Sequence, residues 1–142
     1  MAAPSGPVTA SSDVESAMFD FVDAYDRAYE SAAQEHDLSV AHACVLGRLV
    51  DQRSMGDLAD ELGCDASNIT QIVRRLESRG LVERHAGSDD RRLRHIVRTG
   101  EGETLYAAFE QSFEFARAAS KRLTRAERRE LERLLRKASG GE

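Results

Sequence analysis

The feature that most constrains this 142-residue chain is the stretch 54–99, where two helical patterns joined by a tight turn precede two strand patterns. The second helical pattern has clear ends. Asp65 is a favoured N-cap residue, because its side-chain oxygen accepts from a free amide in the first turn, and Gly80 is a favoured C-terminal residue. We therefore predict a helix over about 66–79.

A shorter helix is predicted immediately before it. Ser54 is a suitable N-cap residue, and Asp57, three positions later, gives a shortened form of the capping box. Gly63 then allows a tight turn between the two helices. Two helices joined in this way have the spacing of a helix-turn-helix, a motif that places its second helix in the major groove of DNA.

The second helix has two contrasting faces. At about 100° per residue its apolar residues, Ile69, Ile72, Val73 and Leu76, share one face. The opposite face contains no carboxylate, so it offers donors and cations to a phosphate-rich groove. The predicted DNA-binding residues there are Ser67, Asn68, Thr70, Gln71, Arg74 and Arg75. Of these, Ser67, Asn68, Gln71 and Arg74 are expected at base edges and Arg75 on phosphate; an ordinary solvated helix face is the alternative interpretation.

Two short strand patterns, 81–85 and 91–98, follow the helix and flank the Gly/Ser/Asp-containing loop 86–90. The return strand has more arginines than a hairpin needs for stability. Guanidinium groups at a hairpin tip suit the narrow, electronegative minor groove beside a helix in the major groove. The predicted DNA contacts of this hairpin, the wing, are Arg91, Arg92 and Arg94, with Asp90 holding the Arg92 guanidinium by a charge-assisted hydrogen bond.

In these residues the chain resembles the MarR family of winged-helix transcription regulators, over nearly its whole length. The resemblance is carried by DASNIT at 65–70, RLESRGLVER at 75–84 and DRR at 90–92, which look like the family's recognition helix, its exit and the wing tip. It implies a mainly α winged helix-turn-helix with about six helices and a two- or three-stranded β-wing. It also implies a homodimeric, DNA-binding regulator, most often a repressor. Arg98 departs from the pattern, because the family usually has leucine there.

The net charge of −5 does not at first favour a DNA-binding protein. Residues 1–62, however, contain three basic and twelve acidic residues, whereas residues 63–98 contain eight arginines and five acidic residues. The positive charge is therefore concentrated in the predicted DNA-binding segment. An acidic remainder limits indiscriminate attraction to nucleic acid.

The rest of the chain is predicted to form helices over about 13–34, 39–51 and 101–122, and from Thr124 onwards. A winged helix needs only about three helices to close its core. The resemblance implies that the surplus apolar stripes join two subunits; folding back on the same chain is the alternative. The predicted interface residues are Met18, Phe21, Phe113, Leu131 and Leu134. The chain thus divides into a flexible tail (1–12), an N-terminal dimerisation helix (13–37), a winged helix-turn-helix (38–99) and C-terminal dimerisation helices (100–142), in one compact unit.

Nothing in the sequence indicates an enzyme. Cys44 and Cys64 are expected to be inert core residues, since free cysteine behaves as a small hydrophobe. The sequence contains no CxxC pair, HExxH, glycine-rich phosphate loop or GxSxG elbow. We therefore expect no catalytic residue, no metal and no cofactor. No apolar run has the length of a membrane span, and we expect a cytoplasmic protein.

The resemblance further implies a small aromatic or phenolic effector, bound in a crevice between the dimer helices and the DNA-binding lobe. Tyr25, Tyr29, His42 and Arg48 have suitable chemistry, although ordinary packing or surface pairing is the alternative for each. The leading hypothesis is a homodimeric regulator that binds a palindromic double-stranded operator and is released by the effector. Two alternatives stay open. One is a winged-helix protein-interaction module whose arginines meet an acidic partner, and the other is a binder of RNA or single strands, which the shortage of wing aromatics disfavours.

Overall fold

The computed structural model describes residues 8–86 and 94–141. Its helices are α1 (Asp13–Glu35), α2 (Val40–Arg48), α3 (Met55–Leu62), α4 (Ala66–Ser78), α5 (Gly100–Ser112), α6 (Phe115–Lys121) and α7 (Arg125–Ala138). Its strands are β1 (Arg53–Ser54), β2 (Val82–Ala86) and β3 (Arg94–Arg98). The predicted fold class, a mainly α winged helix-turn-helix with a small antiparallel sheet, is confirmed.

The α3–turn–α4 unit forms as its sequence predicts. The Ser54 hydroxyl accepts from the Asp57 amide while the Asp57 carboxylate accepts from the Ser54 amide, a reciprocal capping box. Gly63 ends α3 at a φ of 62°, a left-handed conformation that costs glycine little, and Asp65 then caps α4. The buried residues of α4 are the four on its predicted apolar face, Ile69, Ile72, Val73 and Leu76.

The three strands have the order β1-β3-β2 and pair antiparallel. Ile96 in the central strand lies between Arg53 and Arg84, and its side chain is fully buried against the core. Beside the sheet, a Cβ on Gly102 would lie 2.1 Å from the Leu81 carbonyl oxygen. Only glycine fits at this close approach, so α5 begins directly against the exit of α4.

The helix predicted over 101–122 is interrupted, and the structure has α5 and α6 in its place. The interruption lies at Phe113, whose ψ of 83° is not helical. In a continuous helix Phe113 and Phe115 would point about 200° apart. Here both rings contact Tyr25, at centroid distances of 5.1 and 5.7 Å. Aromatic packing on α1 offsets the lost helical hydrogen bonds, a tertiary effect that periodicity does not report.

The hydrophobic core lies between the C-terminal half of α1, helices α2 to α5, and the sheet. In contrast, none of the described residues of α7 is buried, and the first half of α1 is largely exposed. Residues 1–7 of the predicted tail lie outside the described residues. Within 8–86 and 94–141, no helix combines the length and apolar character needed to cross a membrane.

Candidate nucleic-acid interface

The polar face of α4 is open to solvent. Its exposed residues are Ser67, Asn68, Gln71, Arg74 and Arg75, whereas Thr70 is half-buried. Within the described part of the chain, the side chains of Asn68, Gln71 and Arg74 make no hydrogen bond or ion pair with another residue. These three side chains are therefore available to an external partner.

Asp65 fixes the start of this face. Its Oδ1 accepts from the Asn68 amide and from the Ser67 hydroxyl, both at 2.8 Å, and these bonds hold the pKa of the Asp65 carboxyl below its usual value. Ser67 therefore donates its hydroxyl proton within the chain, and Thr70 likewise donates to the Ala66 carbonyl. Toward a nucleic acid these two hydroxyls present lone pairs as acceptors.

The acidic residue of α4, Glu77, is neutralised by the neighbouring strand. Arg84 on β2 donates from Nε to Glu77 Oε1 at 2.9 Å, with both side chains about two-thirds buried. The pair connects α4 to the wing, so the Glu77 carboxylate does not compete with phosphate for the other arginines of α4. Sequence reasoning missed this pair, because its seven-residue spacing spans the Gly80 turn and belongs to neither helical nor strand periodicity.

Arg94 is the predicted wing contact that the structure describes. It is exposed at the start of β3, opposite Ala86. Asp90, Arg91 and Arg92 lie outside the described residues, so the bond between Asp90 and Arg92 stays a prediction.

Arg98 occupies the position where the resemblance led us to expect leucine, and its side chain is only 8% exposed. The guanidinium carbon lies 4.9 Å from the ring centroid of Tyr106, a cation–π arrangement. Its Nε lies 3.2 Å from Glu103 Oε1, close enough for an ion pair, although the angle is not that of a hydrogen bond. Stacking and charge pairing thus hold the last wing strand to α5.

Comparisons with known proteins agree with this geometry. A sequence model of the MarR family matches residues 36–93, the segment that contains α2, α3, α4 and β2. Over this segment, 58 of the 142 residues, the chain is similar to the MarR family. No curated protein sequence matches the chain.

Three solved structures share the fold. A mutant MarR from E. coli is 24% identical, with a TM-score of 0.76 over 92% of this chain and 98% of that chain. A mutant MepR from S. aureus, bound to an oligodeoxyribonucleotide, is 21% identical, with a TM-score of 0.62 over 88% and 95%. BpsR from Bordetella bronchiseptica, whose structure concerns regulation of its DNA binding by 6-hydroxynicotinic acid, is 23% identical, with a TM-score of 0.70 over 96% and 100%.

The residues expected in a MarR-type effector crevice are only partly brought together. Tyr25 and Tyr29 lie side by side with ring centroids 6.2 Å apart, and Tyr29 also packs edge-on against Phe109. The Tyr29 hydroxyl lies 3.5 Å from Cys44 Sγ. Burial, followed by this contact, holds the pKa of Tyr29 well above its usual value, so the phenol stays protonated and can donate.

His42 lies on a different face of α2 from Cys44, the residue that contacts Tyr29. His42 is two residues from Cys44 on α2, so the two side chains point about 200° apart. Burial, followed by the positive charges of Arg75 and Arg79 at the C-terminal end of α4, holds the pKa of His42 below its usual value. Arg48 is exposed at the end of α2.

An open groove of about 460 Å³ lies at the α5–α6 junction, lined by Glu110, Gln111, Glu114 and Arg117. Arg117 Nη2 donates to the carbonyls of Glu110 and Gln111 at 3.2 and 3.0 Å, and so caps the last turn of α5. The Arg117 guanidinium therefore has a structural role at the end of α5. The groove contains none of the predicted crevice residues.

Four of the five predicted interface residues are exposed. Met18 and Phe21 on α1 expose 52% and 50% of their surface, and Leu131 and Leu134 on α7 expose 40% and 46%. Phe113 differs from these four, because it is partly buried and packs against the core of its own chain. Its first contacts are therefore intramolecular.

Proposed function

We propose that this chain is a homodimeric transcriptional regulator that binds a palindromic double-stranded operator, represses, and is released by a small aromatic or phenolic effector. One observation carries the proposal. Within the described part of the chain, the helix-turn-helix presents an exposed face of α4 on which Asn68, Gln71 and Arg74 have no partner, and the carboxylate within α4, Glu77, is paired with Arg84.

The free side chains of α4 have the chemistry of base recognition. An arginine such as Arg74 matches the O6 and N7 acceptors of guanine, and an amide such as Asn68 or Gln71 matches the N6 and N7 groups of adenine. Arg75, further round the helix, suits a phosphate oxygen. The fold shared with MepR, which was solved with an oligodeoxyribonucleotide, supports DNA as the partner.

The exposed apolar residues of α1 and α7 support a homodimer. Helix α7 has only 14 residues, and an isolated helix of about that length is marginal in water without a surface to pack on. A second copy would cover the leucines of α7 and the exposed side chains of α1 together. The twofold axis of such a dimer places two α4 helices on the two halves of a palindrome.

The tyrosines of α1 support an aromatic effector. Tyr25 and Tyr29 offer ring faces, and the protonated Tyr29 hydroxyl offers a donor near the boundary between α1 and α2. The regulation of BpsR by 6-hydroxynicotinic acid supports the same class of ligand. An effector that binds one dimer arrangement better than the other lowers DNA affinity from a distance.

Fluorescence anisotropy tests the DNA partner directly. An operator is first selected from random duplexes with the full chain, and binding is then compared for that duplex, a scrambled duplex, a single strand and an RNA duplex. We expect a preference of about 10³-fold or more for the selected duplex. Equal binding to all four probes would contradict specific recognition, and binding to none of them would favour the protein-interaction alternative.

Single substitutions separate base contacts from phosphate contacts. Gln71→Ala and Arg74→Ala should each cost about 1 to 3 kcal/mol and relax the preference at particular base pairs. Arg92→Ala should weaken all duplexes and lower the salt slope by about one phosphate contact. Arg27→Ala removes an exposed arginine of α1 that pairs with Asp23, and it is the matched control that should leave both quantities unchanged.

The effector is tested by adding 6-hydroxynicotinic acid or phenol to the protein–operator complex. Release of the operator by either probe, and its loss in Tyr29→Phe, is the expected result. Release that persists unchanged in Tyr29→Phe and Tyr25→Ala would place the effector site elsewhere.

A further inference from the structure

A cation from the DNA-binding unit closes the end of the first helix. Arg79, the residue after α4, donates from Nη1 to the Asp37 carbonyl at 2.7 Å and from Nη2 to the His36 carbonyl at 3.4 Å. His36 is the C-cap residue of α1, where backbone oxygens lack helical partners and carry partial negative charge, and Asp37 is the next residue. The last turn of α1 has no basic residue in its sequence, so Arg79 supplies the cation from 42 residues away.

The junction between α1 and α2 that Arg79 holds has a defined shape. Asp37 has a φ of 54°, a left-handed conformation that is uncommon outside glycine. The Asp37 amide donates to the Gln34 carbonyl at 3.1 Å, and the Leu38 amide donates to the Ala33 carbonyl at 2.9 Å. The Leu38 side chain is buried in the core. The two carbonyls bound by Arg79 therefore sit on a turn that is fixed on both sides.

The end of α1 and the exit of α4 are each hydrogen-bonded to α5 or to its N-cap residue, Thr99. His36 Nε2 lies 2.8 Å from Ser112 Oγ, and because that hydroxyl donates to the Ala108 carbonyl, the imidazole N–H is the donor. At the exit of α4, the Thr99 hydroxyl donates to the Gly80 carbonyl at 2.6 Å. The end of α4 is thus joined through Arg79 to the end of α1, and through Gly80 to the start of α5.

We propose that Arg79 is a positioning residue that fixes α4 relative to the dimer helices and so sets the distance between the two recognition helices of the homodimer. The inference rests on the proposed function. Arg79 is not assigned to DNA, because its guanidinium is bound to the carbonyls of α1.

The stiffness of this link has a measurable consequence for operator spacing. Recognition helices in successive major grooves lie about 34 to 36 Å apart. One added base pair between half-sites shifts the second half-site by about 3.4 Å and rotates it by about 34°. A rigid link resists that change and a loosened link tolerates it. Loss of a phosphate contact, by contrast, weakens every spacing equally.

The experiment measures the affinity of the full-length homodimer for the selected operator and for versions with one base pair added or removed between half-sites. Arg79→Ala is expected to reduce the wild-type discrimination between spacings by about three- to tenfold. Arg79→Lys keeps the positive charge but not the bidentate guanidinium donor, and it is expected to recover part of the discrimination. The matched control, Arg75→Ala, removes an exposed arginine one turn earlier and should weaken the three duplexes by one common factor.

Amide hydrogen exchange of the protein alone supplies a second measurement. Arg79→Ala is expected to speed exchange at the Asp37 and Leu38 amides while the Val73 amide in the buried face of α4 keeps its wild-type rate. Unchanged exchange at Asp37 and Leu38, or an equal loss of affinity for all three duplexes, overturns the inference. A wild-type protein without any duplex preference contradicts the proposed function separately, and the exchange rates still decide whether Arg79 holds the junction.

Discussion

The DNA-binding unit and the terminal helices bury their apolar residues in different ways. The apolar residues of α4 are buried within the chain, whereas Leu131, Leu134 and Leu135 of α7 remain 40%, 46% and 54% exposed. Both helices have the same amphipathic periodicity in sequence. The DNA-binding unit thus completes its own core, whereas α7 presents apolar side chains that the described residues leave exposed.

A carboxylate placed among the exposed apolar side chains of α1 and α7 should have the strongest consequence for DNA binding. Phe21→Asp or Leu134→Asp should dissociate the proposed homodimer, because a carboxylate would be buried without a partner at the interface. Operator affinity should fall by about 100- to 10,000-fold, since the second half-site no longer binds intramolecularly. Sedimentation and anisotropy measure the two effects on the same sample.

The control for this change is Arg129→Asp, which places a carboxylate on α7 about 200° away from Leu131. It should leave the dimer intact. A folded Phe21→Asp monomer that binds the palindrome with full affinity would show that the exposed stripe has no part in recognition, and the comparison between the two regions would lose its functional meaning.

Alanine substitutions should distinguish the buried apolar face of α4 from the exposed leucines of α7. Leu76→Ala, in the buried face of α4, should lower the free energy of unfolding by about 2 to 5 kcal/mol, through lost transfer energy and the cavity left behind. Leu134→Ala should cost less at low protein concentration, and its cost should grow with concentration because it acts through the dimer. Urea unfolding at two concentrations measures both. Equal, concentration-independent costs would mean that α7 is covered within its own chain.

The parts of the fold that were predictable depend on neighbours in sequence. The caps at Ser54 and Asp65 and the turn at Gly63 act within a few residues, so the boundaries of α3 and α4 followed from local chemistry. The break at Phe113 depends on Tyr25, and no local pattern records that contact. Tertiary packing therefore interrupts the helix that periodicity predicted as continuous over 101–122.

The candidate site divides in the same way. The exposed face of α4 followed from helical spacing, but the donated protons of Ser67 and Thr70 became visible only with atomic contacts. The Glu77–Arg84 pair and the Arg79 contacts join residues on different elements. Such pairs could not be predicted, because a charged residue at a helix end is compatible with many partners.

The boundary between the two regions contains a titratable cap. Ser39 is the N-cap residue of α2, and its hydroxyl accepts from the His42 amide while His42 Nδ1 accepts from the Ser39 amide. The ring nitrogen also lies 2.8 Å from the Ser39 hydroxyl. A protonated imidazole has no acceptor at Nδ1, so the capping box requires neutral His42. Arg75 and Arg79 of α4 are the charged groups that oppose its protonation.

The smallest expected effect is a pH dependence at this cap. Burial, followed by Arg75 and Arg79, lowers the pKa of His42 in the folded chain, so the unfolded chain binds more protons in the window between the lowered value and about 6.5. The contribution of His42 to stability is therefore complete above about pH 6.5 and is lost as the pH falls through the lowered pKa.

His42→Gln keeps an acceptor at the same capping position and does not titrate, so its stability should fall less than that of the wild type on acidification. Urea unfolding of both proteins between pH 7.5 and pH 5 measures the difference, since the two chains differ only at position 42. Parallel stability curves, or a His42 signal that titrates above the usual histidine range in NMR, would contradict the prediction.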